Sequence, residues 1–166
     1  LSLTGLKGGH SGVDIHLGRA NANKLMFRFL KEAVRDYGAR LSSIDGGSLR
    51  NAIPREAVAI ITIPGDNVEA LWELVADYQD MFRTEYQGIE ESVLFVAEPA
   101  ELPASLIPEE IQDDLINAIE GCQNGVISML ADFPGTVETS TNLASVKKSD
   151  QLIEIKILTR SSSESR

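Results

Sequence analysis

Alternating and helical patterns of apolar residues divide the first part of the chain into elements. Apolar and polar residues alternate over 1–8, which predicts a strand. Over 20–37 the apolar residues recur at helical spacing, which predicts a first helix, and Gly38 stands where a glycine commonly ends one. The repeating residues are Leu25, Met26, Phe29, Leu30, Ala33, Val34 and Tyr37.

Two strands and a second helix follow. Strands are predicted over 40–45 and 56–64, with a glycine-rich loop at 46–54 between them. Asp66 and Glu69 have the spacing of a variant capping box, which predicts that the second helix begins there. Its predicted buried stripe is Val68, Leu71, Trp72, Val75 and Phe82. A strand over 92–97 completes the order β-α-β-β-α-β.

This order predicts an α+β fold of the ferredoxin-like type, an antiparallel sheet with helices on one face. After a proline-marked link, a third helix is predicted from Pro108, with Ile111, Leu115 and Ile119 on one face. A short strand at 124–127 and a hairpin of strands 136–146 and 152–159, turning at 147–151, end the pattern. We therefore expect a ferredoxin-like half at 1–98 and a helix-plus-hairpin extension of the same domain at 99–166.

Composition narrows the class of partner. The 166 residues carry 25 acidic and 15 basic side chains, a net charge of −10. This disfavours nucleic acid and anionic membranes, which need clustered positive charge. Cys122 is the single cysteine, so an internal disulfide and a cysteine-based zinc cluster are excluded. No apolar run approaches the roughly 20 residues of a membrane span. A cytoplasmic location is expected.

The two ends of the sequence predict a piece of a longer protein. The first residues resemble a strand and lack an initiator Met, and the last residues are rich in serine.

Candidate chemistry begins at His10, one of two histidines, which follows the first predicted strand inside a glycine-rich corner. A zinc site built from His10, Asp14 and His16 is disfavoured because two ligands would share a mobile loop and no partner cysteine exists. His16 is better explained as the lead-in to the first helix. Serine-hydrolase, P-loop and dinucleotide motifs are absent. The acidic pairs at 90–91, 109–110 and 113–114 are predicted to be solvated surface.

Three polar residues stand at loops or strand ends: His10, Asn51 and Arg160. Loops at strand ends often carry function. Spacing alone leaves a structural role open for each, since Asn51 can bond its own loop and Arg160 can be a surface charge.

Five segments, in order, resemble the aminoacyl-histidine dipeptidases, zinc metallopeptidases related to the carnosinases and peptidase T. These segments are GLKGGHSG at 5–12, DIH at 14–16, NANKL at 21–25, GGSLRNAIPREA at 46–57 and VETSTNL at 137–143. The similarity spans nearly the whole chain. In that family a lid domain is inserted into a catalytic domain that holds a pair of zinc ions, and the resemblance implies that this chain is the lid. The family's metal motifs are not found in it.

The resemblance also implies roles for the three residues. His10 matches a lid histidine that stabilises the oxyanion, Asn51 a lid asparagine that holds substrate, and Arg160 a lid arginine that pairs with the substrate carboxylate. The parent would be a homodimeric, cytoplasmic, zinc-dependent dipeptidase acting on Xaa-His dipeptides, with the fragment inactive alone. Two alternatives are a self-standing ferredoxin-like binding or dimerisation module without catalytic role, and a self-contained metalloenzyme.

Overall fold

A computed structural model describes residues 1–150 and 152–164. Gln151, in the predicted hairpin turn, and the last two residues of the predicted extension lie outside the described residues. The helices are α1 (Ala22–Tyr37), α2 (Val68–Glu85) and α3 (Glu109–Gly121), with short 3₁₀ helices at Ile15–Leu17 and Gly65–Asn67. The strands are β1 (Ser2–Thr4), β2 (Gly9–His10), β3 (Arg40–Gly46), β4 (Ala52–Ile53), β5 (Ala57–Thr62), β6 (Leu94–Val96), β7 (Gly125–Met129), β8 (Val137–Lys148) and β9 (Ile153–Ser161).

The main sheet has the order β6-β1-β5-β3-β8-β7, and β9 pairs with the other side of β8; every pairing is antiparallel. The first four strands in this order are those of the ferredoxin-like arrangement, so the predicted α+β fold class is confirmed. Burial alternates along β5, where Ala57 and Ala59 are buried and Val58 and Ile60 are exposed. This alternation is typical of a sheet with one face covered.

The first strand is shorter than predicted. It ends at Thr4 because Gly5 turns the chain with a φ of 77°, and any side chain at Gly5 would collide with the carbonyl oxygen of Ser92. The chain resumes an extended form only at β2, which pairs with β4 in a separate two-stranded ribbon. His10 therefore lies on this ribbon and not at the end of a long strand.

Helix α1 begins two residues later than predicted, where a side chain caps it. The Asn21 side-chain oxygen accepts the N–H groups of Asn23 and Lys24 at 3.0 and 3.3 Å. The Asn21 amide nitrogen donates to the Leu143 carbonyl, also at 3.0 Å, which fixes the start of α1 against β8. Gly38 adopts a φ of 69° after the last turn, so the predicted helix end is confirmed.

The predicted capping box of α2 is wrong. Gly65–Asn67 forms a 3₁₀ turn closed by the Asn67 N–H on the Pro64 carbonyl, which leaves Asp66 inside the turn. The helix then begins at Val68 without a side-chain cap.

The predicted buried stripe of α2 needs one correction. Trp72 is 42% exposed, and Val68 is only partly buried. The buried face of α2 is therefore rotated relative to the predicted stripe, and it includes Leu74 and Tyr78. Its members are Leu71, Leu74, Val75, Tyr78 and Phe82.

Helix α3 follows Pro108 as predicted, but its buried face is shifted. Ile111 is half exposed, whereas its neighbour Gln112 is fully buried. The Gln112 side-chain oxygen accepts the N–H of Leu41 in β3 at 2.7 Å, and this bond requires Gln112 to point inward. Leu115 and Ile119 pack in the core as expected, together with Ile116.

The extension continues the sheet of the first half. The predicted short strand and hairpin correspond to β7, β8 and β9. Periodicity gave no sign that β8 pairs with β3, with Asp45 opposite Lys147 and Gly46 opposite Val146. One sheet thus takes strands from both the 1–98 and the 99–166 parts, and the boundary between these parts stays a prediction.

Glu90 contradicts the expectation that the acidic pairs are solvated. Its side chain is buried, and its two carboxylate oxygens accept the N–H groups of Lys7 at 2.7 Å and Ala20 at 3.1 Å. The carboxylate therefore ties the segment after β1 to the segment before α1. Glu91 beside it is exposed, as are the pairs at 109–110 and 113–114.

Candidate functional site

The ribbon of β2 and β4 carries two of the three candidate residues. His10 lies opposite Ala52, and the Ser11 N–H donates to the Asn51 carbonyl at 2.9 Å. Each strand contributes only two residues, because glycines turn the chain before β2 and a turn at 48–51 precedes β4. His10 and Asn51 are thereby brought side by side.

Asn142 joins this ribbon to the main sheet. It is fully buried in β8, and its side-chain amide donates to the Ala52 carbonyl at 2.8 Å. Directly after β4, the Pro54 carbonyl accepts the Ala22 N–H at the start of α1 at 3.0 Å. Hydrogen bonds from β8 and from the start of α1 therefore fix the β4 segment with which His10 pairs.

The imidazole of His10 has a defined hydrogen-bonding polarity. Its Nδ1 accepts the N–H groups of Gly12 and Val13, each at 3.1 Å. A nitrogen that accepts carries no proton, so the neutral ring bears its proton on Nε2. Nε2 makes no hydrogen bond within the described residues, and His10 is exposed. The ring can donate outward from Nε2.

Arg160 approaches the same place from β9. Its position in the sheet is opposite Ser140 of β8. A Cβ built on Gly12 would lie 3.2 Å from Cε1 of His10 and 3.3 Å from both Cδ and Nε of Arg160. The two side chains therefore converge on the bare α-carbon of Gly12. Arg160 is an exposed residue, and its guanidinium has no ion pair with the part of the chain that the structure describes.

Asn51 is exposed and directly precedes β4. Its main-chain carbonyl holds Ser11, while its side-chain amide makes no hydrogen bond within residues 1–150 and 152–164. An imidazole N–H donor, an amide and a guanidinium thus lie near the ribbon of β2 and β4. This set can bind a polar ligand that carries a carboxylate.

The described residues contain no group of three or more His, Cys, Asp and Glu side chains arranged to hold a metal ion. His10 uses Nδ1 for main-chain N–H groups, and Asp14 uses one oxygen for the N–H of His10. His16 lies exposed in the 3₁₀ helix that precedes α1. Nor does any described helix have the length and apolar character to cross a bilayer.

Sequence reasoning missed Gly12 and Asn142. Gly12 lies inside the GLKGGHSG segment, but nothing in its spacing shows that Arg160, 148 positions away, packs against it. Asn142 lies inside VETSTNL, and an asparagine within a predicted strand was the available signal. A polar side chain that is buried in a strand usually has a specific hydrogen-bond partner.

Comparisons with known proteins agree with this architecture. Residues 1–90 match the family described as the peptidase dimerisation domain. The chain is 40% identical over 161 residues to the cytosol non-specific dipeptidase of Escherichia coli (strain K12), an alignment covering 97% of this chain and 33% of that protein. The crystal structure of the aminoacylhistidine dipeptidase from Vibrio alginolyticus superposes with a TM-score of 0.96 and 40% identity, covering 99% of this chain and 34% of that one.

The chain thus spans about a third of the length of these two relatives. The resemblance to the aminoacyl-histidine dipeptidases, found first in five short segments, is confirmed over nearly the whole chain by sequence and by fold. The matched family model covers more than half of the chain, including β1 to β5 and both α1 and α2. The chain belongs to the peptidase dimerisation domain family.

Proposed function

We propose that this domain is the lid of a zinc-dependent dipeptidase that hydrolyses Xaa-His dipeptides. The observation that carries the proposal is the convergence of the His10 ring and the Arg160 side chain on Gly12, next to Asn51. A dipeptide needs such a set, since it has one scissile carbonyl and a carboxylate a few bonds away.

His10 would stabilise the charge that develops on the scissile carbonyl oxygen. When the carbonyl carbon becomes tetrahedral, its oxygen gains negative charge, and a donor already aimed at it lowers the barrier. The Nε2 proton of His10 meets this requirement because Nδ1 is held as an acceptor by Gly12 and Val13. The ring needs no change of tautomer during the reaction.

Arg160 would bind the substrate carboxylate, and Asn51 would hold the peptide between the two ends. A guanidinium can bond both oxygens of a carboxylate, which favours a substrate with a free C-terminus at a fixed distance from the reacting carbonyl. The amide of Asn51 can donate to and accept from a peptide group. Together these contacts would restrict the length of the substrate.

The zinc ions of this proposal would be bound outside the chain, because the described residues do not supply a ligand set. The contribution of this chain to the reaction would therefore come from His10, Asn51 and Arg160. By itself the fragment would be inactive. In the cytoplasm, this domain would contact the catalytic domain of the same protein, and the protein would form a homodimer. Neither nucleic acid nor a membrane would be a partner.

The test is a hydrolysis assay of the full-length parent on an Xaa-His dipeptide, with and without chelator. We expect His10→Ala to lower kcat by about 10²–10³, the range for the loss of one oxyanion donor. His16→Ala is the matched control, since it removes the other histidine, and should leave kcat unchanged. An unchanged kcat in the His10 variant, with only KM raised, would exclude the oxyanion role.

Arg160 is tested with two substrates that differ only in the C-terminal group. The parent should prefer the dipeptide with a free carboxylate over its C-terminal amide, and Arg160→Ala should remove that preference by raising KM for the free acid. If the variant still discriminated, the carboxylate would be bound elsewhere. Parent-like activity in both the His10 and the Arg160 variants would favour a non-catalytic binding or dimerisation module.

A further inference from the structure

Asp14 forms hydrogen bonds with both main-chain polar groups of His10, the N–H and the carbonyl. One carboxylate oxygen, Oδ2, accepts the His10 N–H at 2.8 Å. The Asp14 N–H in turn donates to the His10 carbonyl at 2.9 Å. The turn that these bonds close contains Gly12 and Val13, whose N–H groups bond Nδ1 of the ring. A single residue therefore controls both the backbone of His10 and the turn that orients its imidazole.

Arg19 extends this hold to the residue before the ribbon. Its Nη1 donates to the Gly8 carbonyl at 2.6 Å and lies 3.6 Å from Oδ2 of Asp14. Both side chains are partly buried, 24% exposed for Arg19 and 29% for Asp14. A partly buried ion pair is screened less by solvent ions than a fully exposed one.

The ion pair lies directly over Gly9. A Cβ on Gly9 would collide with Nη1 of Arg19 and would lie 2.7 Å from Oδ2 of Asp14. Gly9 also has a φ of 139°, a conformation that favours glycine. Only a residue without a side chain allows Asp14 and Arg19 to reach the main chain on both sides of it.

We infer that Asp14 and Arg19 are positioning residues that hold the His10 ring in its orientation. They affect the reaction only through His10 and do not touch the substrate. The inference rests on the proposed function. The physical need arises because β2 has two residues and pairs only with the two of β4. So short a ribbon fixes the direction of a side chain poorly, and a misplacement of about 1 Å can cost about 10²-fold in rate.

A double-mutant cycle in the full-length parent tests this inference. Asp14→Ala should lower kcat between about 10-fold and about 100-fold, with a smaller effect on KM. In a His10→Ala background the same substitution should leave kcat unchanged, because the group through which Asp14 acts is already absent. Asp14→Asn keeps an oxygen for the His10 N–H but loses the ion pair with Arg19, so it should recover part of the rate. Asp36→Ala, which breaks an exposed ion pair with Arg35 at the far end of α1, is the control and should retain the parent kcat.

The outcomes separate the inference from the proposed function. If His10→Ala kept the parent kcat, the proposed role of His10 would fail whatever Asp14 did. If His10→Ala slowed the enzyme and the effects of the two substitutions were additive, Asp14 would act independently of His10, and the inference would be overturned. If Asp14→Asn were as slow as Asp14→Ala, the hydrogen bond from the His10 N–H to residue 14 would not be what positions His10. Thermal unfolding of each variant shows whether a lost rate reflects a lost fold.

Discussion

His10 and Arg160 come from opposite ends of the chain and meet over the α-carbon of one glycine. The ring atom Cε1 of His10 and the atoms Cδ and Nε of Arg160 lie 3.2 to 3.3 Å from where a Cβ of Gly12 would be. Both side chains come this close to the main chain of Gly12 because Gly12 has no side chain of its own. That relationship makes Gly12 the most direct probe of the site.

Gly12→Ala should reduce kcat/KM with little change in Tm. The φ of Gly12 is outside the left-handed region, so alanine can adopt the backbone, but its methyl group would press on both His10 and Arg160. The measurement is steady-state kinetics together with thermal unfolding of the full-length protein. Gly121→Ala is the matched control, because its added methyl group would meet no atom within 4 Å apart from its chain neighbours and its own helix. Parent-like kinetics in the Gly12 variant would show that the two side chains do not act at this spacing.

Asn142→Ala should destabilise the protein by about 1–3 kcal/mol, since the Ala52 carbonyl loses its donor in a buried setting. Asn142→Asp nearly preserves the volume but replaces the donor by an acceptor beside that carbonyl, and it should cost more. Urea-induced unfolding measures both. Should the aspartate variant be as stable as the parent, packing and not the hydrogen bond would explain the buried asparagine.

Glu90→Ala should cost roughly 2–4 kcal/mol, because it leaves the N–H groups of Lys7 and Ala20 without their charged acceptor. Glu91→Ala, its exposed neighbour, should change the free energy of unfolding by less than about 0.5 kcal/mol. Chemical denaturation of the two variants side by side gives the comparison. Equal effects would contradict the structural role of Glu90.

Stability should decline in alkaline solution through Tyr78. Burial raises the pKa of Tyr78, and its hydroxyl group donates to Glu32 at 2.7 Å, which raises the pKa further. Folding thus favours the neutral phenol. Its contribution is complete below the ordinary tyrosine pKa of 10.0 and is lost above it, where the unfolded chain releases the proton first.

The check for Tyr78 is the Tm of parent and Tyr78→Phe between about pH 8 and about pH 11, a range that spans the ordinary tyrosine pKa. The phenylalanine variant should show a shallower decline. Burial also raises the pKa of Tyr86, so Tyr86→Phe is a useful comparison. Identical slopes for parent and Tyr78→Phe would assign the alkaline loss to other groups.

Individual helices and strands could be predicted from the sequence because they depend mainly on residues that are close together in the chain. The helical spacing before Gly38 predicted α1, and strong alternation predicted the strands of the β8–β9 hairpin. His10, Asn51 and Arg160 could be singled out by their positions at glycine corners and strand ends. Family resemblance supplied roles for them, and these roles stay predictions.

The sequence by itself determined the order of the three helices and of the main-sheet strands, the ferredoxin-like class and the candidate site residues, since hydrophobic periodicity and glycine placement act over a few residues. Only the tertiary structure decided that β8 joins β3, that Glu90 is buried while Glu91 is not, and that Arg160 packs with His10 around Gly12. These contacts join residues up to 150 positions apart. They depend on strand register and close packing, which no short-range pattern encodes.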